Sequence, residues 1–187
     1  MFTEDYLMRI INMAIAALMT AVGLRKAGKY SEALQAIQQA IEQVTTLPAN
    51  LFDQMDDSNI LSLLVTQGQL DVGRLAILAE LYQEQGEILY KMDRSVQARH
   101  AFARALRFLL EVALSEDVNL SSENIGKVEA LIKRLKGDTL PVETCLALSD
   151  YYQRVLDKDD QTLVAAGTSR AQVSQELDRL QEQLKSS

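Results

Sequence analysis

Apolar residues recur three and four positions apart along most of the chain, the spacing of one buried helix face. From Thr3 to Ala27 that face reads Leu7, Ile10, Ala14, Ala17, Leu18, Ala21 and Leu24, and Gly28 is a left-handed stop. Ser31 and Glu32 open a second helix burying Ala33, Leu34, Ile37, Ala40, Ile41 and Val44. Residues 49–70 are less regular. Leu51-Phe52-Asp53 suits one turn, and Asp57-Ser58 suits the cap of a short helix through Val65 that Gly68 ends. A long helix is expected from Asp71 to Met92, burying Val72, Leu75, Ala79, Tyr82, Gly86 and Leu89. Asp93 is expected to cap a partner running to Leu114, which buries Ala98, Phe102, Ala105 and Leu109. Ser121-Ser122 opens a helix ended by Gly137, and Pro141 suits the first turn of the next, with Cys145, Leu148, Tyr152 and Val155 inside. After Asp157–Asp160 one final helix reaches Leu184. No alternating β pattern or Asn-Gly hairpin competes, so the expected class is all-α.

Composition agrees with helix: two Pro, eight Gly and no Trp in 187 residues. At this length one domain over residues 1–187 is the default, and two small ones are the alternative. A net charge of −7 argues against a nucleic-acid surface. The acidic start lacks the positive charge of a signal peptide. The apolar run Ile10–Leu24, fifteen residues broken by Asn12 and Thr20, falls short of the ~20 that span a bilayer. A single cysteine excludes an internal disulfide, and a cytoplasmic protein with no membrane attachment is expected.

Tyr82, Gly86, Leu89, Ala98, Phe102 and Ala105 place small residues where two antiparallel helices must cross closely, with Phe102 filling the wedge. Ala21, Leu24, Ala33, Ile37 and Ala40 repeat the spacing, and Gly28–Leu34 forms a matching turn. This pattern resembles the tetratricopeptide repeat. Ala33 and Ala98 are 65 residues apart (98 − 33) rather than about 34, so an irregular insert must separate the pairs. The closing Pro is absent, Ala17 replaces a bulky residue, and a third pair over 140–184 is degenerate at Leu156 and Gln161. Asp5–Ile10, Gly28–Leu34, Leu78–Tyr82 and Leu140–Thr144 also resemble a family of uncharacterised tetratricopeptide-like bacterial proteins, mostly from Gram-positive organisms. The resemblance implies helical hairpins stacked as a short right-handed superhelix, with pairs at 3–45 and 71–114, an insert at 49–70 and C-terminal helices at 121–184.

Catalytic chemistry is not evident. One His and one Cys cannot build a zinc site, and Asp53–Asn59 lacks the turning Gly and closing Glu of a calcium loop. His100 reads as a surface residue and Cys145 as a buried hydrophobe. No enzyme activity, cofactor or metal is expected.

By the resemblance, the first helix of each pair lines a concave groove. The groove would hold Glu80, Gln83, Glu84, Glu87, Tyr90 and Lys91, faced by Ile15, Leu18, Met19, Val22, Arg25 and Lys26. Glu80, Glu84, Glu87 and Lys91 form one helical stripe, suited to a protein or peptide carrying basic groups. Reversing the three glutamates is expected to abolish binding while leaving the melting temperature nearly unchanged. His100, Arg104 and Arg107, with Glu111 beyond, read as a solvated face. In the last helix, Leu163, Ala166, Arg170, Val173, Leu177, Leu180 and Leu184 step by three and four as in a coiled-coil seam. Val173, Leu177, Leu180 and Leu184 suit either a cap on their own chain or a homodimer contact. The expected function is a non-enzymatic binding scaffold. The alternative is a peptide-sensing regulatory domain that oligomerises through its last helix.

Overall fold

The computed structural model describes residues 4–52, 54–66, 68–115 and 118–185. Thr3 and Asp53, assigned above to a helix start and a turn, lie outside the described residues. Ten helices account for most of the described chain: α1 (Glu4–Lys26), α2 (Tyr30–Thr45), α3 (Ala49–Phe52), α4 (Asp57–Leu63), α5 (Val72–Lys91), α6 (Ser95–Leu114), α7 (Ser122–Arg134), α8 (Val142–Leu156), α9 (Asp160–Ala165) and α10 (Arg170–Lys185). They fall into two compact units, Met1–Phe108 and Leu109–Ser187.

In the first unit α1, α2 and α5 pack on one another. Ala14, Ala21, Ala33, Ile37, Ala40 and Val44 are fully buried there, and small side chains let the helix axes approach. Leu7, Ala17, Leu18, Leu24 and Leu34, expected inside, are only half-buried. A methyl built on Gly73 would lie 3.2 Å from Ile11 Cδ1, while Arg25 reaches Glu84 eleven residues further along α5. Helices α1 and α5 therefore run side by side in the same direction.

The turns α1–α2 and α5–α6 are built alike. Gly28 (φ 77°) and Asp93 (φ 59°) are both left-handed. Lys29 N–H donates to Leu24 O at 2.9 Å, and Arg94 N–H to Leu89 O at 3.0 Å. Each pair of equivalents is 65 residues apart. Both turns close the preceding helix with the six-to-one hydrogen bond of a glycine C-cap. Asp93 thus ends α5 rather than capping α6, as the sequence had suggested. Gly86 sits under the Phe102 ring, where a Cβ would come within 2.5 Å of Cε1.

The insert differs from expectation in two places. Helix α4 stops at Leu63, and Val65–Thr66 pairs antiparallel with Gln69–Leu70, so a two-residue hairpin replaces the end of the expected helix. Gly68 (φ 80°) supplies the left-handed backbone of a strand reversal, a role its position also allows. The α4 cap is Asp56, whose carboxylate accepts from Asn59 N–H at 2.7 Å.

In the second unit α10 packs on α8, and α7 on α9. Ile125, Val128, Leu148, Tyr151, Val155 and Val173 are buried. Ser121 caps α7 and Asp159 caps α9, the latter accepting from Thr162 N–H at 2.9 Å. Those bonds hold the Asp159 carboxyl below the usual carboxylate range. Pro141 stands at the cap position before α8 rather than in its first turn. The single C-terminal helix expected after Asp160 is two helices. Gly167 (φ 78°) breaks it, and Thr168 N–H donates back to Leu163 O at 3.0 Å. The three-four stepping through Leu163, Ala166 and Arg170 was thus no continuous seam.

Candidate functional site

The residues assigned to a groove come from α1 and α5. Arg25 and Glu84 meet directly. Arg25 Nε donates to Glu84 Oε1 at 2.5 Å and Nη2 to Oε2 at 3.1 Å, a two-pronged ion pair. Glu84 is only 7 % exposed, and its hydrogen bond raises the Arg25 pKa above its ordinary value despite partial burial. The central charge of the acidic stripe is therefore neutralised inside the fold. Glu80 and Glu87 are half-buried and have interactions of their own within the chain. Gln83 is half-buried, whereas Lys26, Tyr90 and Lys91 are exposed. Reversing Glu84 would set two cations together in a buried place. The triple reversal is therefore expected to destabilise the fold, so the melting temperature would not stay nearly unchanged.

The apolar side of α1 is the larger open feature. Met8, Ile15 and Met19 are 56 %, 44 % and 67 % exposed. At about 100° per residue they share one face with the half-buried Val22, turned roughly 130° from the buried Ile10, Ala14 and Ala21. Half-buried Ile11, Leu18 and Arg25 border this stripe on the side of α5. By length and composition alone α1 is long and apolar enough to cross a membrane, and 11 % of its most apolar window is buried. Its inner residues nevertheless pack on α2 and α5.

Sequence reasoning misread Arg104 and Arg170 and passed over Arg154. Arg104, placed on a solvated basic stripe, fastens the insert. Nε donates to Asp57 Oδ1 at 2.8 Å, Nη2 to Met55 O at 2.7 Å, and the guanidinium lies 5.3 Å from the Tyr82 ring centre. Tyr82 in turn stacks near Phe52 and meets Phe108 edge-on. Arg154 does similar work, donating to Ala113 O, Ser115 O and Val118 O at 2.9–3.1 Å. Arg170, assigned to the seam, donates to Leu156 O and Lys158 O and so closes the end of α8. Each guanidinium satisfies carbonyls at a chain reversal, which residue spacing along one helix does not reveal. His100 is exposed; Arg107 and Glu111 are half-buried and have interactions within the chain. Of the proposed self-association residues, Val173 and Leu177 are buried within their own unit, and Leu180 and Leu184 are half-buried.

The second unit holds a cleft of about 390 Å³ between α7, α8 and α10. Leu135, Cys145, Leu148, Tyr152 and Val173 are its buried lining. Burial raises the Cys145 thiol pKa, so the thiolate is disfavoured. Glu129 on α7 also lines it. Its Oε1 is shielded from solvent and makes no hydrogen bond, and burial raises its pKa to about 7. No group of three or more His, Cys, Asp or Glu side chains suited to a metal gathers among the described residues.

These features define a nearly all-helical chain with an exposed apolar face on α1 and a small mixed cleft in its second unit. The chain belongs to the family of unknown function DUF6483, whose model matches residues 1–185. No curated protein and no solved structure matches it.

Proposed function

We propose that the chain is a non-enzymatic scaffold of tetratricopeptide-like build that binds a protein or peptide along the outer face of α1. The carrying observation is the stripe Met8, Ile15 and Met19, left open while the neighbouring face of the same helix is packed. Methionines make an adaptable apolar surface that accepts side chains of varied shape. The repeat reading is supported by the parallel placement of α1 and α5, by α2 packing on both, and by two equivalent turns 65 residues apart. In such a stack the first helices share one face, so the α1 stripe continues toward Glu80, Glu87 and Lys91. The partner is then an amphipathic segment whose apolar side covers Met8, Ile15 and Met19, with basic groups toward α5. Cytoplasmic location and a monomeric scaffold complete the reading. The C-terminal helix does not enter it, since Val173 and Leu177 are already covered.

The test is capture from the native cell extract by wild type, by Ile15→Glu/Met19→Glu and by Met13→Glu. Met13 is exposed on the same helix but lies off the stripe, about 140° from Met8. A partner held by wild type and Met13→Glu and lost by the folded double variant supports the site. Equal retention by all three refutes it.

A further inference from the structure

We propose that the cleft between α7, α8 and α10 is a binding site for a small organic ammonium ion with an apolar body, seated against the Glu129 carboxylate. Three observations carry this. At about 390 Å³ the cleft falls in the range of small-ligand pockets. Leu140, Leu148, Val173 and Leu180 offer apolar wall. Glu129 lines the cleft half-buried, and its Oε1, closed off from the cleft as from water, makes no hydrogen bond, so the protein compensates the charged form poorly. A cation in the cleft offsets that charge from the side of the residue that lines it, and an apolar body covers the walls.

The surroundings favour a cation over an anion at this depth. Glu176 from α10 faces Glu129 and pushes its pKa further up, while Lys133 on α7 pulls it down. The Tyr151 and Tyr152 phenols from α8 are held neutral by burial, as is Cys145. Lys133, Lys136 and Arg179 are exposed at the rim, and Arg179 already lies 3.7 Å from Glu176. Glu176 and Asp138 are exposed acids of the lining, Glu176 beside Arg179, so the half-buried Glu129 is the acid that faces the ligand. Because burial holds the Glu129 pKa near 7, binding a cation there expels a proton at and below neutral pH.

Calorimetric titration of the full chain with phenethylamine, and with 2-phenylethanol as its uncharged match, tests the proposal. Saturable binding of the amine is expected at pH 8, with the alcohol at least about tenfold weaker. With a pKa near 7, the ionised share of Glu129 falls about tenfold between pH 8 and pH 6, and the amine affinity should fall by the same factor. Glu129→Gln should weaken the amine about tenfold or more at pH 8 and remove the pH dependence. Leu180→Trp, which narrows the cleft without changing its charge, should weaken amine and alcohol alike. Failure of the amine to saturate, equal affinity for amine and alcohol, a pH-independent affinity, or indifference to both substitutions would each overturn the site.

Discussion

Gly86 and Gly23 are both inside helices, yet replacing each with alanine should shift stability in opposite directions. At Gly86 an added Cβ would lie 2.5, 2.6 and 2.9 Å from three atoms of the Phe102 ring. Carbon atoms prefer about 3.5–4.0 Å, so the ring must retreat by about 1 Å. Phe102 is only 3 % exposed, which leaves it little room. Overpacking of this kind costs about 1–3 kcal/mol, with the high end expected for a rigid ring. Better helix propensity returns about 1 kcal/mol, for a net loss of about 2 kcal/mol. At Gly23 nothing lies within 4 Å, so only the propensity gain remains, about 0.5–1 kcal/mol. Urea unfolding followed by circular dichroism reads both changes in the midpoint at unchanged slope. Phe102→Leu in the Gly86→Ala background should recover part of the loss, giving a coupling of about 1 kcal/mol. If both alanines shift stability in the same direction, or the double substitution is additive, the close crossing of α5 and α6 at Gly86 is wrong.

Other consequences follow from single residues. Asp93→Gly relieves a left-handed non-glycine and reproduces the equivalent turn at Gly28, so the urea midpoint should rise by the equivalent of about 0.5–1 kcal/mol. Arg104→Ala strands Asp57 and the Met55 carbonyl, and should cost about 2–3 kcal/mol and speed amide exchange through residues 52–64 before the helices around them. Glu129 is protonated more readily folded, near pH 7, than unfolded, near pH 4.5. Between those values the native state binds more protons, so its stabilising contribution is complete below about pH 4.5 and is lost as pH rises through 7. Partial exposure reduces the effect to about 1–2 kcal/mol, and Glu129→Gln should flatten the stability profile over that interval.

The helices and most of their boundaries were legible because their signals are local. The 3.6-residue apolar period, the helix starts at Asp71 and Ser121, and the stops Gly28 and Gly137 act within one or two turns of chain. The Gly86–Phe102 contact was legible too, because small residues at a repeated spacing encode a close crossing. The C-terminal helix was misjudged because Gly167 interrupts a pattern whose apolar stepping continues through the break. What escaped depended on partners distant in sequence. Glu84 is a stripe residue until Arg25, 59 residues away, consumes its charge. Arg104 is a surface cation until Asp57 and Met55 fold onto it. Glu129 carries no motif and stands out only through its burial and its unpaired oxygen.

The central claim is that the outer face of α1 is where a partner sits. Oxidation of methionine thioethers by dilute peroxide, read by mass spectrometry, reports that face directly, since Met8, Met13 and Met19 are all exposed. In the free protein all three should oxidise readily. In the complex with the captured partner, Met8 and Met19 should be protected several-fold while Met13 keeps its free rate. Protection of Met13 with Met8 and Met19 still oxidising at their free rates would place the partner elsewhere and contradict the account.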